Sequence, residues 1–165
     1  MNNMVKKNFA NLARPKRRSI LLAAGGFLLL NACEAKDMRV VLDMVLFNYL
    51  DRPIFAVSVD GMGYEVSGAY PETGKTTTTG VEFELGPKIV SWKLDGPKGK
   101  PRNGETVQNK NTLELTRNQI VPGAKFLSVH IYADDTVELI TSVHFPQVSA
   151  RGEKEVAKMD GRHGK

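Results

Sequence analysis

The spacing of apolar and polar positions along the chain is that of short strands. Residues 39–50 (RVVLDMVLFNYL) form a nearly unbroken apolar run that Asp51-Arg52-Pro53 ends, which predicts a strand and not a helix. Ile54 to Val59 alternate, with Ile54, Ala56 and Ser58 on one face and Phe55, Val57 and Val59 on the other. Asp60-Gly61, reinforced by Gly63, signals a tight turn, and a further strand is expected over Tyr64 to Ala69. After a loop from Pro71 to Lys75, Thr76 to Leu85 set Val81, Phe83 and Leu85 against Glu82 and Glu84, the pattern of a half-buried strand. Lys88 to Leu94 (KIVSWKL) give the next strand, closed by Asp95-Gly96-Pro97, and 95–112 are the longest irregular stretch. Lys125 to Tyr132 and Thr136 to Phe145 flank Asp134-Asp135 and predict a hairpin. Its first arm points Leu127, Val129 and Ile131 one way and Ser128, His130 and Tyr132 the other. With a two-residue loop, His130 faces Leu139 and His144 faces Lys125. Residues 149–165 have almost no apolar content and are expected as a flexible tail. Seven or eight short strands over residues 39–148 predict an all-β domain, an antiparallel β-sandwich or open barrel.

The start of the chain has another pattern. Residues 1–19 are polar and positive and end in Lys16-Arg17-Arg18-Ser19; Ile20 to Leu30 (ILLAAGGFLLL) carry no charge; Asn31, Ala32 and Cys33 come next. A basic head, a short apolar run and a small residue before a cut make a signal-peptide pattern. Eleven helical residues rise about 16 Å, roughly half a bilayer core, which is too short for a stable span. Leu30-Asn31-Ala32-Cys33 resembles a bacterial lipobox, with residues 1–32 removed and Cys33, the lipidation site, acylated as the first mature residue. Two or more acyl chains give firm anchoring. The expectation is a lipoprotein on the periplasmic face of a bacterial membrane, the outer membrane favoured over the inner. Residues 33–38 are then the acylated cysteine and a short tether. Its five residues Glu34 to Met38 reach about 17 Å when fully extended, so the domain stays close to the surface.

That segment also changes the reading of charge. The 165-residue chain has a net charge of +5, with 23 Lys and Arg against 18 Asp and Glu. Six of the basic residues and none of the acidic ones lie in the first 32 positions, so residues 33–165 carry 17 basic and 18 acidic groups. No basic field remains to gather phosphates, which argues against nucleic acid as a partner. The single cysteine excludes an internal disulfide, and three histidines leave little for a His/Cys zinc site.

Tempting chemical motifs fail on spacing. Gly74-Lys75-Thr76 lacks the first glycine of a phosphate loop, since position 69 is Ala69, and a strand comes after it instead of a helix. Gly61-Met62-Gly63 lacks the third glycine of a dinucleotide fingerprint, because position 66 is Val66. Neither a Gly-x-Ser-x-Gly elbow nor a His-Glu-x-x-His helix occurs. Glu82 and Glu84 share a strand face and would suit a glycosidase-like pair, but a solvated strand face is the plainer reading. Trp92 is read as core. No nucleophile, base and oxyanion donor assemble, so a binding protein without catalytic residues, metal or cofactor is expected.

A resemblance extends this. Asn48-Tyr49-Leu50-Asp51-Arg52-Pro53-Ile54, Val59-Asp60-Gly61, Gly74-Lys75-Thr76-Thr77, Trp92 within a strand, and Val129-His130-Ile131-Tyr132-Ala133-Asp134-Asp135-Thr136-Val137 together resemble a bacterial lipoprotein family known as "domain of unknown function 3304". The family often carries cysteines after the Gly-Lys-Thr turn; Thr77, Thr78 and Thr79 stand there in this chain. The resemblance implies an immunity lipoprotein that binds and neutralises a cognate type VI secretion effector in the periplasm, a phospholipase favoured and a periplasmic metallopeptidase second. The alternative is a structural envelope lipoprotein docking a secretion or envelope assembly. Loops on a rigid scaffold are where recognition is expected: Lys98 to Lys110, with Lys98, Lys100 and Arg102; the Tyr70 to Lys75 turn, with Tyr70 and Lys75; and the hairpin tip Asp134-Asp135.

Overall fold

The computed structural model describes residues 38–74 and 76–163, the last four of these by backbone alone. The signal segment 1–32, Cys33, the tether up to Asp37, Lys75 and the His163 side chain lie outside the described residues. Among the described residues there are ten strands: β1 (Arg39–Asn48), β2 (Ile54–Val59), β3 (Met62–Ser67), β4 (Thr77–Glu84), β5 (Gly86–Pro87), β6 (Val90–Leu94), β7 (Thr106–Gln108), β8 (Glu114–Leu115), β9 (Phe126–Ile131) and β10 (Val137–Ser142). One helix comes after them, α1 (Ala150–His163). Two four-stranded sheets run in the orders β10-β9-β1-β4 and β3-β2-β6-β7, with β5 and β8 as a short separate pair. They face each other across one core, so the fold is an all-β sandwich. Leu42, Met44, Leu46, Val81, Phe83, Leu127, Val129 and Ile131 from the first sheet meet Ile54, Val57, Val59, Val90, Trp92 and Leu94 from the second. Every strand pairing is antiparallel except β1 with β9, which is parallel.

Two left-handed residues decide which side chains face outward and how the hairpin pairs. Ala56 adopts φ 54°, and the register of β2 slips on both sides of it. This bulge resets the alternation: Ile54, Val57 and Val59 all point into the core, while Phe55 is exposed. The expected faces, with Ala56 and Ser58 joining Ile54, are therefore corrected. The second such residue is in the hairpin. Asp135 has φ 62°, its N–H donates to Tyr132 O (3.0 Å), and Tyr132 N–H donates to Thr136 O (3.0 Å). A type I turn that ends in a left-handed residue makes a loop one residue longer than the pair Asp134-Asp135. His130 consequently faces Glu138, not Leu139, and the whole ladder moves by one residue, with Ser142 opposite Phe126 at the start of β9 and His144 no longer in register with Lys125.

The segment 149–165, expected as a flexible tail, is corrected to a helix over most of its length. Ser149 caps it: its Oγ accepts the Gly152 N–H at 2.9 Å, which satisfies one of the unpaired donors of the first turn. Gly152, Val156 and Met159, spaced i, i+4 and i+7, turn to the sheet. They cover the face that carries Val45, Phe47, Tyr49 and Tyr132, which forms a second apolar cluster with Met159. This explains why β9 is buried on both faces. Gly152 sits directly on Tyr49, where a Cβ would overlap the phenol oxygen. Among the described residues no helix is long and apolar enough to cross a membrane.

Candidate functional site

Strand direction sorts the connections between two ends of the sandwich. β1 runs toward Asn48, β2 starts beside it at Ile54, and β6 ends at Leu94, the partner of Ile54; β9 ends at Ile131, the partner of Asn48. The 49–53 crossing, the 68–74 turn, the 95–105 loop and the 132–136 hairpin tip thus lie at one end. The three candidate loops come together there.

The segment Asn48 to Arg52 holds two of them. Buried Asn48 donates from Nδ2 to Arg52 O (2.9 Å) and Gly68 O (2.8 Å) while its Oδ1 accepts the Leu50 N–H (2.9 Å). That fixes the 68–74 turn to the end of β1, and Tyr70 N–H donates to Leu50 O (3.4 Å). Arg52, buried although charged, aims its planar fork into the long loop. Its Nε donates to Asp95 O (2.8 Å), one terminal nitrogen to Pro101 O (2.8 Å) and the other to Asn103 Oδ1. Asn103 Nδ2 in turn donates to Gly96 O (3.1 Å) and Pro97 O (2.8 Å). A loop rich in Gly and Pro is in this way given a fixed shape by one guanidinium. The sequence pattern assigns Asn48 and Arg52 no role of their own; the signal it holds is a long polar loop with too few hydrogen-bonding partners within itself.

The predicted residues occupy this end unequally. Lys98 is exposed on a turn closed by Lys100 N–H to Pro97 O (3.0 Å). Lys100 Nζ reaches Asp51 O at 3.1 Å and its carboxylate at 3.5 Å. Arg102 binds Glu105 with two hydrogen bonds of 2.7 and 2.8 Å, and this contact holds the Glu105 carboxyl below the usual range. Asp134 accepts from the Thr136 hydroxyl at 2.6 Å, which lowers its pKa, and pairs with Arg151 at 2.9 Å. Asp135 is nearly buried and pairs with Lys110 at 2.7 Å. Tyr70 is half-buried against the cluster under α1. Arg102, Ala133, Asp135, Asp51 and Met159 line one cavity of about 330 Å³, so the long loop, the hairpin tip and the helix share a depression. On the other side of the loop, Phe55, Val66, Gly68, Glu72 and Asp95 border a second of about 390 Å³. Phe55 is 53% exposed there, an aromatic side chain put outward by the Ala56 bulge and missed by simple alternation.

Beneath this end lies a buried polar chain. His130 Nδ1 is 3.0 Å from Tyr49 Oη and its Nε2 is 3.0 Å from Ser128 Oγ. Ser128 donates to Ile140 O (3.1 Å), so its oxygen accepts the proton of Nε2, and bare Nδ1 accepts from the Tyr49 hydroxyl. Burial pushes the His130 pKa down to about 4 and that of Tyr49 up to about 12; both are neutral at pH 7. The rings stack in sequence: Phe47 on His130 at 4.6 Å, Tyr49 on Tyr132 at 5.0 Å, and the Arg151 guanidinium 3.8 Å over Tyr132. Tyr132 donates to Glu138 (2.5 Å) and lies 2.7 Å from the Ser149 hydroxyl, and burial raises its pKa strongly. Every donor in the Tyr49-His130-Ser128 chain is used within the sheet, and α1 covers it; the Tyr132–Ser149 and Arg151–Asp134 contacts tie the start of the helix to the sheet. Elsewhere, Glu82 and Glu84 both pair with Arg39, at 2.7 and 3.5 Å. Among the described residues no three His, Cys, Asp or Glu side chains group as metal ligands.

Comparison with family models, with curated proteins and with solved structures finds no match for the chain.

Proposed function

We propose that this protein is a lipid-anchored periplasmic immunity protein that binds and neutralises a cognate type VI secretion effector, a phospholipase first and a periplasmic metallopeptidase second. The observation that carries the reading is the convergence of three loops on one end of a sandwich, two of them held by Asn48 and Arg52 and the hairpin tip by Lys110 and Arg151. Inhibition by occlusion requires a preorganised surface, because ordering loops on binding consumes affinity. It also requires an aromatic or arginine anchor near the centre of an interface of about 1,600 Å². Phe55 beside the long loop supplies such a side chain.

Co-expression with candidate phospholipase and metallopeptidase effectors tests the proposal. The full chain should protect the periplasm from one of them and co-purify with it at nanomolar strength. Recovery of envelope-assembly subunits alone, with impaired secretion on deletion and no self-poisoning, would replace it by a structural envelope lipoprotein.

A further inference from the structure

Resting on the lipid-anchor reading, we infer that the end of the sandwich opposite the loop cluster is a membrane-contact surface, with Met38, Met62 and Ile89 against the lipid of the leaflet that holds Cys33. β1 starts at this end and its ten residues finish at Asn48, a rise of about 30 Å. If Cys33 is the acylated residue, Met38 lies at most about 17 Å from the lipid. That reach is shorter than the sandwich. The turn end must therefore face the leaflet, while the loop cluster points into the periplasm.

The side chains there suit that neighbour. Met38, Met62 and Ile89 are 59%, 48% and 54% exposed, and they gather around the same turns. Met38 O accepts the Leu85 N–H at 2.6 Å. Met62 borders a depression with Arg39, Asp60 and Glu84, and Ile89 N–H donates to Asp60 Oδ1 at 2.8 Å. Exposed apolar clusters of this kind mark interaction surfaces. Their base is rigid, because the buried Lys88 ammonium ties Asp60 (2.7 Å) to Pro87 O (2.9 Å). The charges beside these side chains are mutually engaged, Arg39 with Glu82 and Glu84 and Lys88 with Asp60. Among the described charges beside these three side chains, two basic groups face three acidic ones, so contact there is by shallow apolar insertion and does not depend on salt.

The test uses the acylated full chain in vesicles of phosphatidylethanolamine with a minor share of phosphatidylglycerol. An environment-sensitive fluorophore is placed on Met62→Cys, Ile89→Cys or Lys98→Cys, and quenchers are supplied in the lipid or in the water. Probes at 62 and 89 should lose most of their fluorescence to the lipid quencher, in low and high salt alike, and the probe at 98 only to the aqueous one. Acylated protein whose probes at 62 and 89 answer to the aqueous quencher overturns the inference alone. Protection from both quenchers, with a doubled mass in solution, overturns it in favour of a second copy. A full chain that gains no acyl mass, or keeps it in Cys33→Ala, overturns the anchor reading and the inference with it.

Discussion

His130 carries the chemistry of this fold in its protonation state. Its imidazole is neutral because it is buried, and the folded pKa of about 4 lies below the value near 6.5 of an unfolded chain. Between those values the unfolded state binds the proton and the folded state does not. Stability is therefore full above about pH 6.5 and falls as the pH drops toward 4, by about 3 kcal/mol. Urea unfolding at a series of pH values should show that slope, and His130→Phe should remove it. The same substitution leaves the Tyr49 hydroxyl without its acceptor and should cost about 1–3 kcal/mol at pH 7. Arg52 is the second residue of this kind. Arg52→Ala should lower stability by about 3 kcal/mol, since it strands carbonyl oxygens of the 95–103 loop. Arg52→Lys should recover little of it, because an ammonium cannot present three donors in one plane. Proteolysis within 95–105, negligible in the parent and rapid in both variants, would report the freed loop; an unchanged cleavage rate would contradict the role assigned to Arg52.

At the scale of elements, helix α1 rests on one close approach. Gly152→Ala puts a methyl group into the Tyr49 phenol, so the helix must lift or the Tyr49-His130-Ser128 chain must shift. Overpacking of this kind costs about 1–3 kcal/mol. Near-UV circular dichroism should lose the signal of the stacked tyrosines while the sheet signal in the far-UV persists. A parallel loss of both would mean that helix and sandwich do not separate energetically. The helix is also the element that the sequence concealed. Gly152, Val156 and Met159 make a face of only three small or apolar positions among charged ones, too thin for periodicity to detect, and its partner surface is remote in the chain. The strands were legible because alternation and turn residues are local: β4, β6 and the β9-β10 hairpin stand within two or three residues of their predicted limits. What alternation could not reveal was the left-handed residues at Ala56 and Asp135, since neither type demands that conformation. One of them exposes Phe55 and the other shifts the hairpin by a residue. The three candidate loops were legible as loops. Their convergence depends on strand order, and the parallel β1-β9 pairing that carries the hairpin tip to Asn48 has no local signature.

For the whole molecule, the two ends of the sandwich should separate in function. The interface that the immunity reading requires belongs at the loop end, where Phe55, the Lys98 to Arg102 turn and the Asp134-Asp135 tip surround two depressions. Most charges there are already committed to Asp51, Glu105 or Lys110, so they shape the surface more than they supply free attraction, and exposed pairs contribute little. The aromatic side chain should then dominate. Phe55→Ala is expected to weaken effector binding by about 2 kcal/mol, roughly thirtyfold, as for a central anchor. Lys98→Ala, at the rim, should act mainly on the association rate and fade as salt is raised. Glu84→Ala, at the opposite end, should leave affinity unchanged and serves as the control. Surface plasmon resonance with the effector that co-purifies with the full chain resolves all three. Loss confined to Glu84→Ala would place the inhibitory face at the end assigned to the membrane, and an anchored protein could not then present it.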